Sequence, residues 1–364
     1  MASNLLLILD RRDTLVRLEG HALRVEQSDG VLQRVPLGMV GMVVVHGAPA
    51  VTCDVWRELS ERGIPAVLVP VRGKGSTAWL GSGLSNTIQL RRQQHQRASD
   101  PVAVLAIARQ LVGLKLRYQR QLAVGATAWC AIPPATPVKA LLDLFDGKLA
   151  RLSEATDIPA VMGFEGSAAA AWYDWLTVSL PPTWGFAGRN RRPPRDPVNV
   201  LLSLGYTLLG GEMLGAVQAA GLDPALGFLH GVVPGRESLV LDLIEPLRPG
   251  VDAFVLSVLD RILTPHHFTK QADHCLLNKD GRNLFYRAWA EVRWRWPLPI
   301  NPDTGLSLLS EEVELQTEGV TETAGDASLA TQCRRMTRVL RALLRTGGQA
   351  GLEEEAKLEM RGDG

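Results

Sequence analysis

A chain of 364 residues, 46% of them hydrophobic, can bury a large core, and its length suggests two domains. Its longest apolar runs, such as "LGMVGMVVV" at 37–45, are far too short to span a membrane, and Cys53, Cys130, Cys275 and Cys333 form no CxxC pair, which argues against a disulfide framework or a zinc site. The net charge of +1 hides an uneven spread: residues 301–364 hold 7 basic and 12 acidic side chains, so the first 300 carry the positive excess, and the basic residues are 32 Arg against 7 Lys.

Arginine's planar fork fits phosphate oxygens. A biased genomic base composition explains the total equally well, so the count alone does not indicate nucleic acid. The start, "MASNLLLILDRR", has a very short apolar run and no cleavage pattern. With no membrane span and thiols suited to a reducing compartment, the expected location is cytoplasmic.

Residues 4–82 read as strands. Apolar runs recur ("LLLIL", "TLVRL", "ALRVEQ", "VLQRVPL", "MVVV", "AVLVPV"), punctuated by turn signals at Glu19-Gly20 and Asp29-Gly30. One helix interrupts them, with Thr52 as its N-cap and Gly63 past its end. Beyond residue 96 the spacing turns helical. Asp100-Pro101, Asp196-Pro197 and Asp223-Pro224 repeat one helix-start signal, and Gly221 ends the helix before the third.

The fold class is therefore α+β. A small N-terminal β domain with one helix (1–85) joins through a linker (86–99) to a larger all-α domain (100–296). An acidic, disordered segment (297–326), an Arg-rich helix (327–346) and a flexible tail (347–364) follow; residues 310–326 hold six acids and no base.

Three stretches carry charge where burial is expected. "GFLHGVVPGRESLVLDLIEPLRP" at 227–249 places His230, Arg236, Asp242, Glu245 and Arg248 in an apolar run. Asp242 and Glu245 lie three apart, on one helix face, and Pro246 and Pro249 disturb that helix. Two carboxylates and an imidazole suit a divalent ion such as Mn²⁺, with Mg²⁺ as the all-oxygen alternative. The plainer reading pairs the acids with Arg236 and Arg248 and leaves His230 as a core histidine.

Upstream, "VMGFEGSAAAAWYDWL" at 161–176 sets Glu165 beside tiny residues on a helix, which is either a third ligand or an edge of tight helix packing. "GRNRRPPRDP" at 188–197 puts Arg189, Arg191, Arg192 and Arg195 before a helix start, either a phosphate site or a solvated loop. Trp172, Trp175, Trp184, Trp289, Trp294 and Trp296 read as core or interface.

Taken in order, Glu165, the arginine loop, "DPVNVLLSLGYTLL" at 196–209, "GLDPALGFLH" at 221–230 and "SLVLDLIEPLRP" at 238–249 form a succession that resembles the CRISPR-associated integrase, the spacer-acquisition endonuclease. The resemblance continues at "CLLNKDGRNLF" (275–285) and at "RRQQHQRASDPVAVLAIARQLVGLKLRYQRQ" (91–121). It spans residues 4–295, and the helix at 327–345 matches the family's last one. Leu247 stands where the family pattern has an aromatic, and the acidic segment has no counterpart there.

The resemblance implies a β domain that mediates homodimerisation and an α-helical catalytic domain. It implies metal ligands at Glu165, His230 and Glu245, with Asp242 as a further acidic position of the active site. Arg236 lies near a phosphate, and Mn²⁺ or Mg²⁺ is the cofactor. It also implies double-stranded DNA (captured fragment and repeat) as substrate, and a small ferredoxin-like partner whose dimer is flanked by two integrase dimers. Candidate DNA contacts are Arg189, Arg191, Arg192, Arg195, Arg236 and Arg248. The expected function is metal-dependent joining of fragment 3′-hydroxyl ends into a CRISPR repeat array. A catalytically inactive DNA-binding scaffold and a general branched-DNA nuclease are the alternatives.

Overall fold

The computed structural model describes residues 5–70, 76–80, 88–126, 138–191, 193–299 and 327–345. Arg192, Cys130, the acidic stretch 310–326 and the tail at 347–364 lie outside these described residues.

Eight short strands fill the N-terminal part: β1 (Leu5–Leu9), β2 (Thr14–Glu19), β3 (Ala22–Gln27), β4 (Leu32–Pro36), β5 (Val40–His46), β6 (Ala50–Val51), β7 (Ala66–Val69) and β8 (Ala78–Leu80). Helix α1 (Cys53–Glu61) lies between β6 and β7. Gly20 at φ 60° and Gly30 at φ 84° make the turns joining β2 to β3 and β3 to β4, where a side chain would be strained. Thr52 stands at the N-cap of α1 in extended backbone, but its hydroxyl donates to the Val16 carbonyl instead of capping.

The strands form two sheets, ordered β4-β3-β2-β6 and β1-β5-β7-β8. In the second, β1, β5 and β7 run parallel and β8 antiparallel. Its central strands are apolar without alternation because both faces are covered. Leu7, Leu9, Val43, Val45 and Ala66 join α1's Val55 and Leu59 in the core between the sheets. Leu6, Met42, Val44 and Val67 point the other way, into the core of the helical part.

The helical part comprises α2 (Ile88–Ala98), α3 (Pro101–Val124), α4 (Lys139–Arg151), α5 (Ile158–Ser179), α6 (Pro197–Ala219), α7 (Ser238–Ile244), α8 (Arg248–Val258), α9 (Lys279–Val292) and α10 (Leu329–Arg345). It also carries a short antiparallel hairpin of β9 (Phe268–Lys270) and β10 (Cys275–Leu277). Asp100, Asp157 and Asp196 each accept a backbone N–H of the helix they open, with a proline in its first positions.

The third Asp-Pro signal opens no helix. Residues 223–226 form a turn instead, because α2 supplies a competing partner. The buried Gln94 side chain donates to the carbonyls of Asp223 (2.9 Å) and Leu226 (2.8 Å) and accepts the Asp223 N–H at 2.8 Å.

Helix α6 is long and apolar enough to cross a membrane by length and composition, but it runs through the protein's core, with Val198, Leu201, Leu208 and Met213 buried. Gly210 and Gly211 let it lie against the second sheet. A Cβ at Gly211 would overlap Val67 Cγ2, and one at Gly210 would sit 2.6 Å from Trp79 Cζ2. Five of the six tryptophans singled out in the sequence are core residues, while Trp294 is exposed.

His46, at the end of β5, ties the sheet to α9 through a 2.8 Å hydrogen bond between its Nδ1 and the Tyr286 hydroxyl. Burial, with the Arg282 charge in support and Asp10 opposing, lowers its pKa from 6.5 to about 4. Such a group favours the fold while neutral, so its contribution is full above pH 6.5 and is lost as pH falls towards 4. Between pH 7 and pH 5 the wild type should lose about 2 kcal/mol that His46→Gln does not lose. Urea unfolding of both proteins at the two pH values measures that difference.

Candidate active site

Three elements bring charged side chains together near the loop at 227–237. Lys115 lies in the middle of α3, on the stripe Leu111, Lys115, Tyr118, Leu122 that faces the core. Glu165 is on α5. Glu245 opens a single 3-10 turn, Glu245–Leu247, between α7 and α8. Pro246 and Pro249 each sit in the first positions of the segment they enter, so the chain kinks and restarts instead of stopping.

At the centre is a cation held by two acids. Lys115 Nζ donates to Glu165 Oε1 and, at 2.6 Å, to Glu245 Oε2. The other Glu245 oxygen is 2.7 Å from Arg248 Nη1. Burial alone would raise the Glu245 pKa, but the charges of Arg248 and Lys115 outweigh it and hold the carboxyl well below the usual range. Lys115 and Glu245 form the floor, with side chains 6% and 3% exposed; Glu165 at 23% and His230 at 24% form the open side.

His230 is aimed by Asp242. Its Nδ1 lies 2.7 Å from Asp242 Oδ1, and the carboxylate accepts the backbone N–H groups of Phe228 (2.5 Å), Leu229 (2.9 Å) and His230 (2.9 Å). The loop folds this tightly because residue 227 is glycine: a Cβ there would meet Asp242 Oδ2 and the His230 carbonyl, both at 2.8 Å. Asp242 is completely buried, and its oxygens are committed to the loop. It is therefore a positioning residue that holds the imidazole and leaves Nε2 as the ring nitrogen open to a ligand.

The arginines divide. Arg189 turns inward, donating to the Asn190 carbonyl and Asn199 Oδ1 (both 2.6 Å) and to Ser203 Oγ at 3.2 Å. Arg189 and Arg248 both lie over the Tyr206 ring, at 5.6 and 5.2 Å from its centroid. Arg236 bonds Ser238 Oγ and the Gly231 carbonyl, closing the loop next to His230. Arg191 and Arg195 are exposed.

Behind the site, the Tyr173 and Tyr206 hydroxyls are 2.9 Å apart, and Tyr206 donates to Asp252. Burial raises the Asp252 pKa to about 6 against the pull of the Tyr206 hydrogen bond. Sequence reading missed Lys115, Tyr173, Tyr206 and Asp252. Lys115 had a visible signal, a charged residue at a core position of a helical stripe. Asn199, Ser203 and Tyr206 likewise share a face at helical spacing, and that face receives Arg189.

Among the described residues no three His, Cys, Asp or Glu side chains close on a single point. The chemistry of the set nevertheless fits a dication. Two carboxylates already grip one cation, the Lys115 ammonium, and a neighbouring imidazole is oriented with one nitrogen open.

The family profile described as "CRISPR associated protein Cas1" matches residues 7–291. The CRISPR-associated endonuclease Cas1 2 of Rhodospirillum rubrum is 36% identical over 291 residues, covering 76% of this chain and 83% of that protein. Two solved structures share the fold. A casposase bound to integration product has a TM-score of 0.75 at 19% identity, covering 94% of this chain and 91% of that one. A Cas6-RT-Cas1–Cas2 complex has a TM-score of 0.74 at 20% identity, covering 95% of this chain and 35% of that one. The matched span takes in Lys115, Glu165, His230, Asp242 and Glu245 alike, and the chain belongs to the Cas1 family of CRISPR-associated proteins.

Proposed function

We propose that this protein joins the 3′-hydroxyl ends of captured DNA fragments into a CRISPR repeat array by metal-dependent transesterification. The observation that carries the reading is the convergence of Glu165 and Glu245, from separate elements, on one buried cation beside an oriented histidine. In the reaction the fragment's 3′-hydroxyl gives up its proton as its oxygen bonds to a phosphorus of the repeat, the phosphorus–oxygen bond of the target strand breaks, and the departing 3′-oxygen takes up a proton, so that protons balance. The fragment's own hydroxyl attacks directly, so no covalent enzyme intermediate is required, and the number of phosphodiesters is conserved.

Glu165, Glu245 and His230 Nε2 are the groups that would hold Mn²⁺ or Mg²⁺. Such an ion, when bound, would supply positive charge to offset that developing on the phosphoryl group. Asp242 keeps the imidazole aimed, and Arg236 shapes the loop beside it. The exposed Arg191 and Arg195 are the best placed of the described loop arginines to meet phosphates, and binding should weaken steeply with salt. The fold neighbours support the choice of partners, one being bound to integration product and the other in complex with Cas2. We infer double-stranded DNA and a small Cas2-like protein, with this chain acting as a homodimer, two dimers flanking one partner dimer.

The test is strand transfer of a short duplex into a repeat-bearing plasmid. Glu165→Gln and His230→Ala should each lower joining by roughly 10²-fold or more. Unchanged joining by either variant rules the site out. Duplex binding without metal-dependent joining points to a scaffold. Equal cleavage of branched DNA with and without the repeat, and no joining, points to a general nuclease.

A further inference from the structure

Lys115 is buried at the floor of the site, and its ammonium lies between the two carboxylates read as metal ligands. Burial opposes its charge, but Glu245 and Glu165 outweigh that and keep its pKa above the ordinary value. Arg248 balances the second oxygen of Glu245. The two acids are thus matched by two cations from the chain itself. A dication brought to the same oxygens meets a positive charge already seated there, in a buried place where like charges repel strongly.

Lysine is suited to giving way. It carries a point charge on a flexible four-carbon stem, unlike the fixed fork of arginine. The open side of the cluster, formed by Glu165 and His230, is where a DNA phosphate would come to lie. That phosphate offers the ammonium a second partner of the same charge as the first.

We propose that Lys115 is an internal counter-cation that competes with the divalent ion for Glu165 and Glu245, so that the ion binds weakly until DNA phosphate draws the ammonium away. The inference rests on the reading of these two acids as ligands. It implies that metal and DNA favour each other's binding by the same factor. It also gives the site a reason to stay inactive in the absence of DNA.

The test measures Mn²⁺ binding by the DNA-free full-length protein, from the electron paramagnetic resonance signal of free Mn²⁺, in the wild type, Lys115→Met, Lys115→Gln and Glu165→Gln. Removing the ammonium should tighten Mn²⁺ binding by about tenfold or more. Equal or weaker binding by both Lys115 variants overturns the proposal. If a Lys115 variant is unfolded alone, refolding on addition of Mn²⁺ supports competition for one place. A variant that stays unfolded at saturating Mn²⁺ shows a structural tie and overturns it. Mn²⁺ binding that Glu165→Gln removes, but that the Lys115 variants do not tighten, sinks the role of Lys115 alone. Binding that is indifferent to Glu165→Gln sinks the ligand reading itself and this inference with it.

Discussion

Asp242→Ala should destabilise the protein by about 3–5 kcal/mol and abolish joining. The carboxylate accepts three backbone N–H groups and anchors the His230 ring, all in a fully buried place. Each orphaned buried donor costs about 1–3 kcal/mol, and water entering the cavity recovers only part of that. Asp242→Asn separates the two roles. It keeps the shape and one oxygen, so it should fold with a smaller loss. Its amide would face the His230 ring nitrogen and donate to it, moving the ring proton to Nε2 and closing the position open to a ligand. Joining by the Asn variant should therefore fall about 10–100-fold, with Mn²⁺ affinity falling in step. Urea unfolding together with the joining assay reads both effects.

Glu245→Ala should cost about 3–5 kcal/mol, the range for breaking one side of a buried ion pair. It removes the partner of Arg248 and one of the two acids on Lys115. The effect carries a pH signature. The Glu245 pKa is held below its unfolded value, so its stabilising contribution is complete above pH 4.5 and is lost as pH falls below that. Glu245→Gln, which does not titrate, should lack this part of the acid limb. Unfolding midpoints of wild type and Gln variant from pH 6 down to pH 3 check the sign. A difference that grows as pH falls would contradict it.

Much of this architecture was legible in the sequence, and what was hidden has a common cause. The strands of the β part were readable because Gly20 and Gly30 mark turns that need positive φ, and local chemistry decides such turns. Asp100-Pro101 and Asp196-Pro197 opened helices for an equally local reason. Asp223-Pro224 did not, because Gln94, distant in sequence, captured its backbone. Strands β6 and β8 and the β9–β10 hairpin are only two or three residues each, too short for a periodic signal.

The same division holds at the site. Glu165, His230 and Glu245 could be singled out from the chain, but the part played by Asp242 could not, since "LDL" looks the same whether its acid faces a ligand or grips a loop. Arg189 looked like a phosphate contact, yet Asn199 and Ser203, a turn apart on α6, receive it inside. Lys115 was written into an apolar stripe, but its partners lie 50 and 130 positions away.

One sheet serves two interiors, with Val43 and Val45 on one side and Met42 and Val44 on the other. Among the described residues there is therefore no seam at which the helical part could be cut free. A fragment beginning near residue 88 would present its Gly210–Gly211 ridge bare to water, and the strands left behind would show an equally sticky underside. Crystallographers and enzymologists seeking a minimal catalytic piece should keep the N-terminal strands, because those strands are the ground on which α6, and through it the acid cluster, is laid.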